Sequence, residues 1–122
     1  MASRLSQIAA LGALSAGRTW VSNKVKTLDS SREAILKALQ PLETTIGGSG
    51  AMYVMAKLTE KCNDDLVIGE MLVKEFGIAV IPGSFCGYPG WIRVCYSNLN
   101  PDDCIIAANR LALGIKKICE KQ

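Results

Sequence analysis

The sequence contains no histidine. That removes the side chain most often used as a general base near neutral pH, and the commonest protein ligand for zinc and copper. Cysteine occurs five times, at Cys62, Cys86, Cys95, Cys104 and Cys119, but never as C-x-x-C. An odd count without that spacing argues against a disulfide framework and against a zinc site. Reduced thiols suit a cytoplasmic protein. A catalytic Cys86 would have no conventional partner base, so an enzyme built on that thiol is excluded on chemistry. Long apolar runs are missing too: nothing approaches the ~18 residues that a membrane-crossing helix needs. Charge of one sign is scarce. The net charge is +3, too mild to imply a nucleic-acid surface. Acid is absent only locally: Met1–Leu28 holds Arg4, Arg18, Lys24 and Lys26 and neither Asp nor Glu.

What is present is an ordinary globular composition. The 122 residues are 49% apolar and 20% charged, enough for one domain with a two-layer core. The first seventeen residues superficially resemble a targeting segment. Arg4 precedes an apolar stretch, Ile8–Leu14, and Ala13-Leu14-Ser15-Ala16-Gly17 offers small residues for cleavage. Ser6, Gln7 and Gly12 weaken that pattern, and an import signal is kept as an alternative to a helix over Ser3–Ala16.

Further along, Val21, Val25, Leu28, Ile35, Leu36 and Leu39 recur at three- and four-residue steps and predict a long helix over Arg18–Gln40. Asp29-Ser30-Ser31 with Glu33 marks either a kink or a fresh N-cap within it. Ile46-Gly47-Gly48-Ser49-Gly50 reads as a flexible loop, and it lacks both the third glycine of a dinucleotide fingerprint and the lysine of a phosphate loop. Ala51–Leu58 predicts a strand with Met52, Val54 and Ala56 on one face and Tyr53 and Met55 on the other. Asn63-Asp64-Asp65 opens a helix whose buried stripe is Ile68, Met71, Leu72 and Phe76, stopped by Gly77. The paired acids there read as cap chemistry rather than as catalytic carboxylates. Asn100-Pro101-Asp102-Asp103 opens a final helix in the same way, with Lys116, Lys117 and Lys121 near its negative end.

The most informative stretch is Phe76–Leu99. Ile78–Ile81 is fully apolar and predicts a buried strand. Pro82–Gly90 is rich in glycine and proline and predicts a loop. Trp91–Tyr96 predicts a second strand with one cation, Arg93, in its middle. Alternation puts Ile92, Val94 and Tyr96 on a core face, and Trp91, Arg93 and Cys95 on the opposite one. Spacing alone leaves two roles for Arg93. Its stem could lie along apolar surface with its head in water, or its fork of donors could take a carboxylate or phosphate.

These residues also carry a family likeness. G-I-A-V-I-P-G-S-F-C-G followed by G-W-I-R-V-C-Y-S resembles the C-terminal small domain of the class I/II, fold-type-I, pyridoxal-phosphate-dependent aminotransferases. The run G-G-S-G-A-M-Y-V-M-A-K-L together with P-G-W-I-R-V-C-Y-S-N-L is most similar to the plant aromatic and methionine branch, and the likeness extends from about Arg4 to Lys116. It implies an α+β fold, with a small, largely antiparallel sheet and helices packed on one face. Residues 1–17 would be a remnant helix of the large-domain junction and 18–122 the small domain. It further implies that Arg93 anchors the substrate's α-carboxylate, with Ser84, Phe85 and Cys86 on a mobile loop facing the substrate. The Schiff-base lysine and the cofactor cup belong to the family's large domain. No lysine here stands in the family's S-x-x-K setting, and Asn23-Lys24-Val25-Lys26 matches only N-x-x-K inside a helix. The implied chain is therefore truncated relative to the enzyme, without catalytic residues or stably bound pyridoxal phosphate of its own. Its implied partners are an amino-acid or keto-acid carboxylate and, in an alternative role as a docking module, a full-length aminotransferase subunit.

Overall fold

The structure, a computed structural model that describes residues 1–120, begins with three helices. α1 (Arg4–Ser15) is capped by Ser3, whose hydroxyl accepts the Ser6 N–H at 3.2 Å. α2 (Gly17–Thr27) and α3 (Asp29–Leu39) divide the stretch expected as one helix. The division is a kink, because Leu28 keeps right-handed helical angles and no side chain caps α3; Asp29 instead pairs with Arg32 at 3.3 Å. α3 alone of the three is amphipathic enough to bury a stripe, with Ile35, Ala38 and Leu39 in the core. Leu5, Ile8, Leu11, Leu14, Trp20, Val21 and Val25 on α1 and α2 stay exposed.

β1 (Thr44–Gly47) corrects the loop expected over Ile46–Gly50: Ile46 and Gly47 are already in the sheet, and the loop begins only at Gly48. Arg32 ties that loop down by donating to the Gly48 carbonyl at 2.9 Å. β2 (Tyr53–Lys57) lies within the predicted strand and keeps its alternation, Val54 and Ala56 being buried; Met52 falls just outside it and is exposed. α4 (Asp65–Phe76) starts at Asp64, whose carboxylate accepts the Val67 N–H at 3.1 Å. It ends at Gly77, which adopts φ 63° and ψ 35°, a left-handed conformation that glycine enters without a Cβ clash.

That stop corrects the next expectation. The buried strand read at Ile78–Ile81 shrinks to β3 (Ile81–Pro82), with Ala79 and Ile81 exposed. The Ile78 N–H is already bonded to the Leu72 carbonyl at 3.1 Å in the helix cap, so the chain turns into the sheet late. β4 (Trp91–Cys95) is central: Ile92, Val94 and the following Tyr96 are buried, while Trp91, Arg93 and Cys95 are half-buried on the other face. The sheet order is β1-β2-β4-β3 with every pair antiparallel. α5 (Pro101–Glu120) is capped by Asn100, which accepts the Asp103 N–H at 2.9 Å and donates back to its carboxylate at 2.7 Å. Lys117 lies in its last turn; Lys121 falls outside the described residues.

The core forms between one face of the sheet and α3, α4 and α5. Val54, Ala56, Ile92 and Val94 meet Ile35, Leu39, Leu72, Leu111, Ile115 and Ile118 there. Each such side chain contributes about 1.5–3 kcal/mol by leaving water. The architecture is the expected α+β arrangement, with a small antiparallel sheet and helices on one face. Its consequence for function is that, among the described residues, the other face, the one bearing Arg93, has no α-helix over it.

Candidate functional site

Arg93 sits at the middle of β4, opposite Met55 of β2 on one side and Ile81 of β3 on the other. Its guanidinium carbon lies 5.0 Å from the centre of the Tyr53 ring. Among the described residues it forms no ion pair with an acid. A half-buried cation steadied by an aromatic face, with its donors uncommitted to any carboxylate of the described residues, is suited to binding one from outside. Beside it, Ile46, Met55, Tyr88 and Trp91 line an apolar hollow of about 230 Å³. Arg93 and the recess thus share the uncovered sheet face, with Met55 opposite Arg93 as one of the recess walls. Cys95, on the same face, is engaged locally: its thiol donates to the Met52 carbonyl at 3.2 Å and lies within 3.4 Å of the Ser97 hydroxyl.

The Pro82–Gly90 loop is folded tightly on itself. Gly83–Cys86 forms one turn of 3-10 helix, and the Tyr88 N–H donates to the Gly83 carbonyl at 2.8 Å. Phe85 stands out into solvent and Cys86 is half-buried. Ser84 points inward. Its N–H donates to Asp65 Oδ2 at 2.8 Å and its hydroxyl to Asp65 Oδ1 at 2.9 Å. The Gly90 N–H donates to the same Oδ1 at 3.0 Å. Asp65 is 3% exposed. Sequence reasoning read Asn63-Asp64-Asp65 as a capping residue followed by two acids at the positive end of the dipole, and the acid pair as cap chemistry; the N-cap is Asp64 rather than Asn63. The structure keeps that role for Asp64 and gives Asp65 a second one, beneath the loop. The available signal was redundancy, since a helix needs only one capping acid.

Burial raises the Asp65 pKa and the hydrogen bonds from Ser84 and Gly90 lower it by more, so the carboxyl lies below its ordinary value of 3.8. A depressed carboxylate stabilises the fold fully above the ordinary value and loses that contribution as pH falls through the folded value. We therefore expect the stability difference between the wild type and Asp65→Asn to be constant near neutrality and to close below about pH 4. Denaturant melts of both proteins across that range check it; a gap that persists in acid would contradict the assignment. Glu70, lowered from its ordinary value by its hydrogen bond to Lys74, is common to both proteins and cancels.

The remaining titratable groups are not gathered into a site. No group of three or more metal-ligating side chains occurs among the described residues. Their lysines are exposed apart from Lys117, which is half-buried and paired with Glu75. Burial pushes the Cys119 thiol up, with Cys62 adding to it, which makes it a poor nucleophile. A larger hollow of about 510 Å³ opens between Ala79, Tyr96 and Arg110 on the side of Val94, Tyr96 and α5; Arg93 is a wall of neither hollow, but only the smaller one is lined by Met55 and Trp91 of its own sheet face. No helix is long and apolar enough to cross a membrane among the described residues.

The sequence profile of the family described as aminotransferase class I and II matches residues 1–111. The aromatic aminotransferase ISS1 of Arabidopsis thaliana is 39% identical over 116 residues, which is 93% of this chain and 29% of that protein. Among solved structures, the aspartate aminotransferase of Thermotoga maritima superposes with a TM-score of 0.74 at 23% identity, covering 93% of this chain and 29% of its own. The aromatic aminotransferase of Pyrococcus horikoshii OT3 gives 0.70 at 24%, covering 81% and 27%. These two likenesses concern the fold. The chain spans less than a third of the length of each of these three proteins.

Proposed function

The chain belongs to the class I and II aminotransferases, and from that membership we propose that it is the part of such an enzyme that grips the α-carboxylate of an amino-acid or keto-acid substrate. One observation carries the reading: Arg93 stands on the uncovered sheet face with no acid among the described residues paired to it. A bidentate guanidinium–carboxylate pair is directional as well as strong, so it orients the bound acid. The aromatic residues beside it, Tyr53, Tyr88 and Trp91, favour aromatic amino acids or methionine as the substrate class. The name of the Arabidopsis relative points the same way. In this reading residues 1–17 belong to the junction with a large domain, and residues 18–122 form the small domain.

Pyridoxal phosphate is the family's cofactor, and it supplies the electron sink for chemistry at the substrate's α-carbon. The residues of this chain do not fit it. A Schiff-base lysine needs a sheltered position, and the lysines described here are exposed apart from Lys117, which is half-buried and paired with Glu75. Asp65 is buried with both carboxylate oxygens already engaged by three donors from the Pro82–Gly90 loop, which leaves it badly placed to hold a pyridine nitrogen. We accordingly read the chain as binding substrate carboxylate without catalysing transamination alone. A second reading is favoured by the exposed apolar side chains of α1, α2 and the open sheet face, Leu5, Trp20, Ile46 and Ile81 among them. In it the chain is a module that docks onto a full-length aminotransferase subunit.

Titration of the chain with 3-phenylpropionate, followed at the Arg93 Nε–H resonance, tests the first reading. We expect a saturable shift at Arg93; its absence would sink the assignment. Borohydride reduction after mixing with near-stoichiometric pyridoxal phosphate tests the catalytic part. Scattered weak labelling is expected, and one dominant pyridoxyl-lysine accompanied by transamination of phenylalanine would overturn it.

A further inference from the structure

We propose that the buried Asp65 carboxylate positions the Pro82–Gly90 loop and, through it, the aromatic wall that Tyr88 and Trp91 present beside Arg93. The proposal deepens the carboxylate-binding reading and rests on it. Asp65 is not needed to start its helix, because Asp64 already caps α4 through the Val67 N–H. Its carboxylate instead collects three donors that lie 19 and 25 residues away in sequence, at the two ends of the loop. Ser84 is the second residue of the loop's 3-10 turn and Gly90 is the residue before β4 begins. Holding both ends on one charge fixes the span between them, and the span contains Tyr88.

The loop's own packing transmits this constraint. Gly83 lies so close to the Tyr88 and Trp91 carbonyls that a Cβ there would stand 2.1 and 2.6 Å from their oxygens. The Gly83 carbonyl in turn accepts the Tyr88 N–H. Tyr88 and Trp91 then close the apolar hollow with Met55, the residue opposite Arg93 on β2. A single chain of contacts thus runs from Asp65 through Ser84, Gly83 and Tyr88 to the recess that Met55, the register partner of Arg93, helps to line. Asp65 touches no substrate in this account and acts only through the loop.

An amide cannot replace the carboxylate. Oδ2 accepts from the Ser84 N–H, and Oδ1 accepts from the Gly90 N–H and the Ser84 hydroxyl. Either rotamer of an asparagine would turn its NH2 toward a backbone N–H, setting donor against donor. The test compares amide hydrogen exchange in the 122-residue chain, in Asp65→Asn and in Ser84→Ala, with the Leu111 and Ile115 amides as the measure of global opening. Protection at Ser84 and Gly90 relative to that standard is expected to fall about 10- to 100-fold in Asp65→Asn. A smaller fall is expected in Ser84→Ala, which removes one neutral donor and keeps the test available if the first variant does not fold. Equal protection in all three proteins overturns the proposal.

A second arm titrates each protein with 3-phenylpropionate at the Arg93 resonance. The dissociation constant should rise about fivefold or more in Asp65→Asn, with Arg93 itself untouched. A loosened loop with unchanged binding would overturn the link to Arg93, since a purely structural role predicts that result. A wild-type chain that binds no 3-phenylpropionate would overturn the parent reading and that link with it. The exchange arm uses no ligand and still decides whether Asp65 holds the loop.

Discussion

Gly83→Ala is expected to lower the unfolding free energy by about 3 kcal/mol or more, from overpacking together with lost hydrogen bonds to a buried charge. The new methyl carbon would stand 2.1 Å from the Tyr88 oxygen, 2.6 Å from the Trp91 oxygen and 2.8 Å from the Trp91 Cβ. A clash with a flexible side chain can be relieved by a rotamer change, but these are backbone atoms and the root of a strand residue. The loop must therefore move as a body. Moving it draws Ser84 and Gly90 away from Asp65 and leaves a buried carboxylate short of donors. A domain of this size holds only about 5–15 kcal/mol in total, so the loss is a large part of it. Urea denaturation measures it, with the slope unchanged and the midpoint lowered. A midpoint within error of the wild type would mean that the loop is not packed as described, and would count against Asp65 as its anchor as well.

The parts of this molecule that could be read in the sequence are those whose physics is local. Ile92, Val94 and Tyr96 alternate with Trp91, Arg93 and Cys95 because β4 is central and only one face of the sheet is covered, so burial imposes a period of two. Asp64 at the start of α4, Gly77 at its end and Asn100 before α5 were legible because a helix terminus is satisfied by residues within three or four positions. β1 was not legible. Thr44–Gly47 is an edge strand exposed along its whole length, so no burial pattern marks it; the three β-branched residues were the available hint, and the glycines after them pointed to a loop.

Ile78–Ile81 misled for the opposite reason. Four consecutive apolar residues normally indicate burial on both faces, but β3 is the other edge of the sheet and its entry is delayed by the helix cap at Ile78. The role of Asp65 depends on partners 19 and 25 residues away, and no local rule anticipates a bond across that distance. The surroundings of Arg93 were half legible. Alternation assigned its face, while the ring of Tyr53 and the recess formed with Tyr88 exist only once β2, the loop and β4 are brought together.

Arg93→Ala should weaken 3-phenylpropionate binding by about 10- to 100-fold or abolish it, the loss expected when a hydrogen-bonded ion pair has one partner removed. Arg93→Lys should recover part of it, because a lysine restores the positive charge without the planar fork that engages both carboxylate oxygens. Neither change should unfold the chain. Arg93 projects from the face opposite the core, so its removal forfeits the contact with the Tyr53 ring and some cover over Met55 and Ile81. An exposed cation–π contact is worth about 0.5–1 kcal/mol. Binding and stability should therefore separate, with the dissociation constant moving far and the denaturation midpoint little. That separation is what distinguishes a binding arginine from one that merely lays its stem across an apolar sheet. A packing role predicts the reverse, with alanine destabilising the fold while whatever carboxylate affinity exists persists. If Arg93→Ala binds 3-phenylpropionate as well as the wild type, the carboxylate site is elsewhere, and the open sheet face is better understood as a docking surface for the rest of an aminotransferase.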